Sequence, residues 1–425
     1  MNRRGVTGTR WPNFAESCYN SAMSFSFLTK SPSRSSKKHG KERELSLVID
    51  VESGLVRGSL VLFSGGSSAA VAPHIFHRAS AEIMPRGNGD ETKGGVRLLS
   101  AMLDAVSVVS EKTVTGGLKI ASANSLNIPI SKIHVVFSSP WIISKTKTVK
   151  VSYEKETEIT KTAVNAILDG ERRDLEQKFL AEHDSSLEFD LAFIEQKIFE
   201  VKLNGYPTVR FEGKKARELE VSFAVSISSK SILSHIEKTL EKSIRMSERN
   251  IECHSSLLLQ YSALRTIVAG GSDYIAIHVH REISDIIVVK DGLCAAMASF
   301  PAGTALLSRK LTYSSLNLQS QNALHPAENS RVAAIADSST NTWAEQLTDT
   351  LAALGQMNSM PHRIYLLANG HYSHFERALA EISGEHVTVS PIEKSALDSK
   401  VSHEDKEQED SLMSLYVFAL QQNLG

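Results

Sequence analysis

Residues 274–303 read Tyr274-Ile-Ala-Ile-His-Val-His-Arg-Glu-Ile-Ser-Asp-Ile-Ile-Val-Val-Lys-Asp-Gly-Leu-Cys-Ala-Ala-Met-Ala-Ser-Phe-Pro-Ala-Gly303. Tyr274 to Val279 and Ile283 to Lys290 are β-branched and apolar, Asp291-Gly292 is a hairpin turn, and Leu293 to Phe300 reads as a third strand. The stretch therefore predicts a three-stranded meander. Its first bend, His280 to Glu282, carries polar and charged side chains. A tight turn facing a phosphate would favour glycine there, for positive φ and for close backbone approach.

A second stretch has the same build. Leu45 to Asp50 reads as a strand, Glu52-Ser53-Gly54 as a bend, and Leu55 to Phe63 as a return strand ending in Ser64-Gly65-Gly66. Each hairpin is an apolar strand ending in a polar residue, Asp50 or His278, then a short bend and a second apolar strand. This internal duplication resembles the actin-like ATPase superfamily, in which each half carries one phosphate-facing hairpin.

At 425 residues the chain has room for several domains and a large core. With 41% hydrophobic and 22% charged residues it is neither fibrous nor wholly disordered. Its formal charge of -1 is unevenly spread: residues 1–43 hold nine Lys or Arg against Glu16 and Glu42, a net +7, leaving -8 elsewhere. That segment has no periodic pattern and is expected to be a disordered basic arm, with the true start at Met1 or at Met23. The globular part shows no basic face or nucleic-acid motif, so no nucleic-acid partner is expected. Cys18, Cys253 and Cys294 are widely spaced and odd in number, which excludes a disulfide framework and a Cys-x-x-Cys metal site and fits a reducing compartment. No apolar run reaches the roughly 18–20 residues that span a bilayer.

Along the chain, Ala69 to Glu91 reads as irregular and Gly94 to about Gly116 as a helix, with Val96, Leu99, Met102, Leu103, Val106 and Val109 on one face. Lys132 to Ser138 is a strand. The pattern then changes to strand (Thr146 to Val151), helix (Ile159 to Phe179), strands (Ile194 to Leu203, Val209 to Phe211, Leu219 to Ile227) and helix (Lys230 to Met246). These make a compact α+β unit of about a hundred residues, within the usual domain range. A helix from Ser256 to Ala269 leads into the central meander, and Thr304 to Leu311 continues as a helix. Ser314 to Ser330 reads as a polar loop, Ala334 to Leu354 as a helix, Arg363 to Ala368 as a strand, Ser373 to Ile382 as a helix and Val387 to Val389 as a short strand. Residues 398–410, with six acids against Lys400 and Lys406, read as a solvated loop, and Ser411 to Leu420 as the last helix.

This order, with Phe300-Pro301-Ala302-Gly303 after the second hairpin, resembles the FtsA-like and PilM-like branch of the superfamily. The fold class that follows is α/β: two actin-like (ribonuclease H-like) halves with an inserted α+β SHS2-type domain. The expected boundaries are 1–43 for the basic arm, 44–130 for the first half, 131–247 for the inserted domain, 248–396 for the second half, and 397–425 for an acidic loop and a closing helix that returns to the first half. The resemblance implies a cytoplasmic scaffold or adaptor for cell division or type IV pilus assembly, recruiting protein partners through the inserted domain, self-associating, and meeting membrane only indirectly. It implies ATP and Mg in the cleft between halves, with Asp50, Ser53, Gly54, Ser284, Asp285, Asn369 and Gly370 as cofactor-binding positions and Asp50 as the metal residue.

Several of these positions depart from the family pattern. Glu52 takes a glycine position, His278 replaces the second aspartate, His280 replaces a glycine, and Ala368-Asn369-Gly370-His371 keeps one glycine of a run. A phosphate loop works through bare backbone N–H groups, so each added side chain stands where ligand would sit. The expected cleft is degenerate and no catalytic residue is assigned; the alternative is an active ATPase or small-molecule kinase of the same superfamily. Asp50 has a second reading as a turn cap. His278 and His280 alternate on one strand and share a face, but with no third ligand nearby they read as ordinary histidines. His371 and His374 flank a helix start as capping or surface residues. The last helix has no basic residue, unlike helices that bind anionic lipid, and reads as packed on the sheet of Leu45 to Asp50.

Overall fold

The computed structural model describes residues 43–64, 71–84, 94–182, 190–245, 250–268, 273–309, 326–355, 361–368, 371–383, 386–392, 394–405 and 410–424. The first hairpin is β1 (Arg43–Val51) and β2 (Leu55–Ser64), followed by β3 (His74–Glu82), α1 (Gly94–Ala123) and β4 (Ile130–Phe137). Next come β5 (Ile143–Glu158), α2 (Lys161–Glu182), β6 (Leu191–Leu203), β7 (Tyr206–Pro207), β8 (Lys215–Ser229) and α3 (Lys230–Ile244). Then β9 (Ile251–Ser255) and α4 (Ser256–Ile267) lead to the meander β10 (Tyr274–Val279), β11 (Ser284–Lys290) and β12 (Leu293–Phe300). The rest is a short helix α5 (304–309), α6 (Pro326–Ala353), β13 (Arg363–Ala368), α7 (Tyr372–Ser383), β14 (Thr388–Pro391), α8 (Lys394–Asp398), β15 (Ser402–His403) and α9 (Ser411–Leu424).

Among the described residues, two of the three sheets repeat one plan. The first runs β15-β3-β2-β1-β4-β9 and the second β12-β11-β10-β13-β14. In each, three strands form an antiparallel meander (β1–β3; β10–β12) and two more add in parallel to its first strand. The registers also correspond, since Asp50 faces Arg57 across one hairpin and His278 faces Asp285 across the other. The third sheet, β5-β8-β6-β7, lies in the chain between β4 and β9 and has its own apolar core around Val221, Phe223 and Ile227.

Each main sheet is covered on its faces by helices, which is why its strands read as nearly continuous apolar runs. On one face of the first sheet, Leu47, Ile49 and Val135 pack with Met102 and Val106 of α1 and Ile236 of α3. On the other, Val48, Val61 and Val136 pack with Leu257–Leu259 of α4 and Leu415–Ala419 of α9. This second core also takes in Tyr274, Ala276 and Ile287 of the second sheet, so α4 and α9 lie between the two sheets. The outer core of the second sheet gathers Ile275, Ile277, Val288 and Leu366 around Trp343 of α6 and Phe375 of α7.

Several elements differ from their sequence reading. The helix α1 passes through Gly116-Gly117 to Ala123 instead of ending there. A Cβ at Gly116 would lie 2.4 Å from the His77 ring and one at Gly117 2.6 Å from Leu60. These glycines admit the helix close to β2 and β3, and the cost of glycine within a helix is offset by that approach. The stretch 69–91 contains β3, whose half-buried alternation is weak; β9, unassigned from sequence, is five residues long. Val209 to Phe211 is not a strand: after the Asn204-Gly205 turn, with φ of 51° and 82°, only Tyr206–Pro207 pairs back, and the return strand starts at Lys215. The reading of Ser314 to Ser330 falls partly outside the described residues, and 326–330 already belongs to α6. Residues 398–410 are more than solvated loop, because Ser402–His403 pairs with β3 and Asp410 caps α9. The last helix is buried along its length, with every residue from Leu412 to Leu420 inaccessible or nearly so.

Trp343 is fully buried and its indole N–H donates to Ser284 Oγ at 2.9 Å. The Trp343→Ala variant is expected to lose about 3–5 kcal/mol of unfolding free energy, the usual cost of emptying so large a core site, measured by urea titration.

Candidate functional site

The bend of the first hairpin and the bend of the second meet face to face. In each, the amide two residues after the first strand's polar end closes the turn: Glu52 N donates to Leu55 O and His280 N to Ile283 O, both at 2.9 Å. Offset by 228 positions, Asp50, Glu52 and Arg57 correspond to His278, His280 and Asp285. One hairpin thus presents acid, acid and base, and the other base, base and acid. All six side chains are buried, with Asp50 and His280 wholly inaccessible.

Arg57 is the anchor. Its Nη1 donates to Asp50 Oδ2 at 2.6 Å and also to Glu52 Oε1, while its Nε pairs with Asp410 Oδ2 at 3.0 Å. Asp410 uses its other oxygen to cap α9, accepting from the amides of Leu412 and Met413 at 3.0 and 3.1 Å. Across the junction, Glu52 Oε2 lies 3.4 Å from His280 Nδ1, an ion-pair contact outside good hydrogen-bond geometry, and Oε1 lies 3.8 Å from His278 Nε2. His280 Nε2 donates to Asp285 Oδ2 at 2.9 Å. Asp285 Oδ1 accepts from Ser299 Oγ at 2.6 Å, and Ser299 meets Ser139 Oγ at 2.7 Å, a further link between the two sheets. The Trp141 indole donates to the Glu52 carbonyl at 2.8 Å, and Gln260 Nε2 contacts His278 Nδ1 at 3.3 Å and Tyr416 OH at 3.4 Å.

Burial opposes every charge in this cluster, and the neighbours decide which survive. For His280, burial is outweighed by Glu52 and Asp285, and the imidazole is pushed up to about 10. His278, buried beside the charged His280, is driven well below the ordinary histidine range. For Glu52, burial is outweighed by Arg57 and His280, which hold the carboxyl well below its usual range. Asp50 goes the other way, pushed up to about 8 by burial and then by Glu52, despite sharing Arg57. Its Oδ1 has no hydrogen-bond partner among the described residues, in keeping with the carboxylate that loses the competition for one guanidinium.

The positions expected from sequence divide as follows. Asp50 meets a guanidinium. Ser53 Oγ accepts from the Glu282 amide at 3.1 Å, and Gly54 lies under Arg281, whose side chain would stand 2.3 Å from a Cβ placed there. Ser284 Oγ donates to Ala302 O at 2.6 Å, and Asp285 joins the ionic cluster. Asn369 and Gly370 lie outside the described residues. His371 Nε2 lies 3.2 Å from Ser308 Oγ, away from the cluster. Gly303 is held against backbone: a Cβ there would lie 2.4 Å from His280 O and 2.5 Å from Arg281 O.

Arg57, Asp410, Gln260 and Ser299 were not singled out in the sequence. Arg57 was the one within reach, because it follows Asp50 by seven residues as Asp285 follows His278. The third donor that the histidine pair lacked is Glu52, with donor atoms of Glu52, His278 and His280 all within 4.8 Å of one another. A cation among them would meet the Arg57 charge on the same carboxylate and a proton on His280, so the three serve each other as ion-pair partners.

No protein-family model matches the sequence, and no curated protein matches it. Among solved structures, the chain is similar to the PilM-PilN type IV pilus biogenesis complex, with a TM-score of 0.56 at 10% identity over 89% of this chain and 98% of that one. It is also similar to a Bacteroides thetaiotaomicron protein with actin-like ATPase fold (TM-score 0.35, 10% identity, 88% and 95% covered). A third is the ethanolamine utilization protein EutJ from Carboxydothermus hydrogenoformans (TM-score 0.38, 10% identity, 84% and 87% covered). The repeated topology of the two sheets and the likeness to the PilM-PilN structure give the α/β fold of two actin-like halves. Among the described residues no helix is long and apolar enough to cross a membrane.

Removing one partner from a buried ion network leaves an uncompensated charge, at a cost of about 3–5 kcal/mol. Arg57→Met is expected to destabilise the chain by that amount in urea titration. The pH dependence has a definite sign. His280 is raised in the folded state, so its contribution is full below about 6.5 and is lost as pH rises through about 10. Asp50 is likewise raised, and its loss runs up to about 8. Unfolding free energy should therefore fall between pH 7 and 9.5, and His280→Gln should flatten that slope.

Proposed function

We propose that the chain is a PilM-like cytoplasmic scaffold whose two halves are latched together by the Arg57 cluster where nucleotide-binding relatives would hold phosphate and Mg. The carrying observation is the contact of the bends themselves: Glu52 and His278 face each other where two glycine-rich turns would leave room for an anion. Three amides of the bends are already used, since Glu52 N donates to Leu55 O and His280 N to Ile283 O, both at 2.9 Å, and Glu282 N donates to Ser53 Oγ at 3.1 Å. ATP, if met at all, is held weakly, and Mg finds Asp50 already paired. Catalysis as an ATPase or small-molecule kinase would need that space open, so the scaffold reading is preferred.

In this reading the unit built on the third sheet is an SHS2-type domain of the FtsA and PilM branch, and it recruits partners. Its outer strand β5 is long and mostly exposed beyond Val149. Near its start, Thr146 Oγ1 donates to Ala295 O of β12 at 3.0 Å, so the edge open to a partner begins further along than Thr146. Such an edge supports strand addition. The likeness to the PilM-PilN complex favours pilus assembly over division and a PilN-type protein as partner.

Calorimetric titration with Mg·ATP tests the latch: the folded chain should give no heat at millimolar nucleotide. Binding that Asp50→Ala abolishes would restore a working cleft and overturn the reading. Co-purification with a PilN-type protein should succeed without added nucleotide, and a chain that elutes alone would remove the pilus assignment while leaving the latch result standing.

A further inference from the structure

A second histidine cluster lies on the first sheet, away from the Arg57 network. The strands β4 and β9 pair in parallel, with His134 opposite Glu252 and Val136 opposite His254. Alternation along each strand puts Glu252 and His254 on one face, beside His134 on the neighbouring strand. His134 Nδ1 lies 3.1 Å from His254 Nε2 and 3.5 Å from Glu252 Oε2, and the three donor atoms are all within 4.8 Å of one another. Lys132 Nζ takes the other oxygen, Oε1, at 2.9 Å, which turns Oε2 toward the two imidazoles, and the Lys132 side chain, 32% exposed, is free to turn into solvent when a cation arrives, as the sealed Arg57 is not. The Phe63 ring stands edge-on to His134 at 5.8 Å and walls the inner side.

We propose that His134, Glu252 and His254 bind one divalent transition-metal ion, Zn²⁺ by donor preference, with a fourth position open to solvent. The spacing matches: four ligands around zinc at about 2.0–2.1 Å stand about 3.3 Å apart on a tetrahedron's edges, and the separations of 3.1 and 3.5 Å bracket that value. Two imidazoles and one carboxylate are a donor set that zinc accepts while leaving a vacant corner. An ion can reach it, since β9 is the outer strand of the sheet and the Glu252 side chain is 45% exposed. This separates the cluster from Glu52, His278 and His280, which are fully buried around a pinned guanidinium.

The position gives such an ion a mechanical consequence. The strand β4 leads into the unit built on the third sheet and β9 leads out of it. A metal bridging His134 on one strand to Glu252 and His254 on the other clamps the two connections together at their root. Zinc would stiffen the junction through which that unit is carried, independently of any nucleotide and of what the unit binds.

The test uses the full chain, stripped with chelator and titrated with Zn²⁺ against a colorimetric chelating dye, with Co²⁺ as a spectroscopic substitute. One equivalent of zinc should bind, Co²⁺ should give the visible absorption of a tetrahedral site, and zinc should raise the melting midpoint. His254→Gln should weaken binding by at least about 10–100-fold, the loss that even outer-shell changes bring, and should cancel the thermal shift. Glu252→Gln, on a largely exposed side chain, should do the same while leaving the chelator-treated melting midpoint unchanged, which separates lost ligation from misfolding. His278→Gln should leave zinc binding intact. The proposal falls if the folded chain retains no zinc, if binding survives the Glu252→Gln/His254→Gln double variant, or if His278→Gln removes it instead.

Discussion

A guanidinium sealed from water has to be met by fixed anions or the fold does not form, and the arrangement around Arg57 meets that demand from three parts of the chain. Asp50 and Glu52 belong to its own hairpin, and Asp410 arrives more than 350 residues later at the head of the last helix. Because the Asp410 carboxylate also caps α9, the helix that fills the space between the two sheets is seated by the residue that completes the ionic site. Desolvating so many charged groups is expensive, and the cost is met only where the geometry is good and the remaining lone pairs and protons find partners. Here that geometry is the contact between the two hairpin bends.

The two hairpins explain how that contact can be satisfied. They share register and turn closure, and differ in charge at three equivalent positions. A duplicated element with identical side chains at its tip would bring like charge against like. Exchanging acid for base at those positions turns the same backbone into a complementary pair, with Glu52 between Arg57 and the two histidines, and His280 between Glu52 and Asp285. The charged residues at the two tips are thereby the joint itself. The actin-like fold supplies two bends aimed at one place; the side chains decide whether a ligand or the protein itself fills it.

Much of the architecture was legible because it rests on local periodicity. The meander from Tyr274, the hairpin from Leu45, and the helices around Trp343 and Phe375 follow from alternation, from Asp291-Gly292, and from apolar residues at helical spacing. What was misread lies where a local signal has a tertiary cause. The glycines at 116 and 117 look like a helix end but make room for His77 and Leu60. The strands β3, β9 and β15 are short or half-buried, and each is a strand because a neighbour pairs with it. Asp410 looks like one acid in a solvated run until Arg57 is placed beside it.

The sequence by itself determined the two repeated hairpins, their apolar strands and the identity of the residues at their tips, since β-propensity, turn chemistry and spacing act within a few residues. It also showed glutamate at 52 and histidine at 280, positions where a tight phosphate-facing turn would favour glycine. Only the tertiary structure decided what stands there instead, because Glu52 and His280 are separated by 228 positions and Arg57 and Asp410 by 353, and no periodicity spans such distances. The same holds for His134 and His254, brought to 3.1 Å by the pairing of β4 with β9 across the whole of the third sheet. Charge and metal-ligand chemistry depend on approach within a few ångströms, and that approach is set by how sheets pack, not by how residues follow one another.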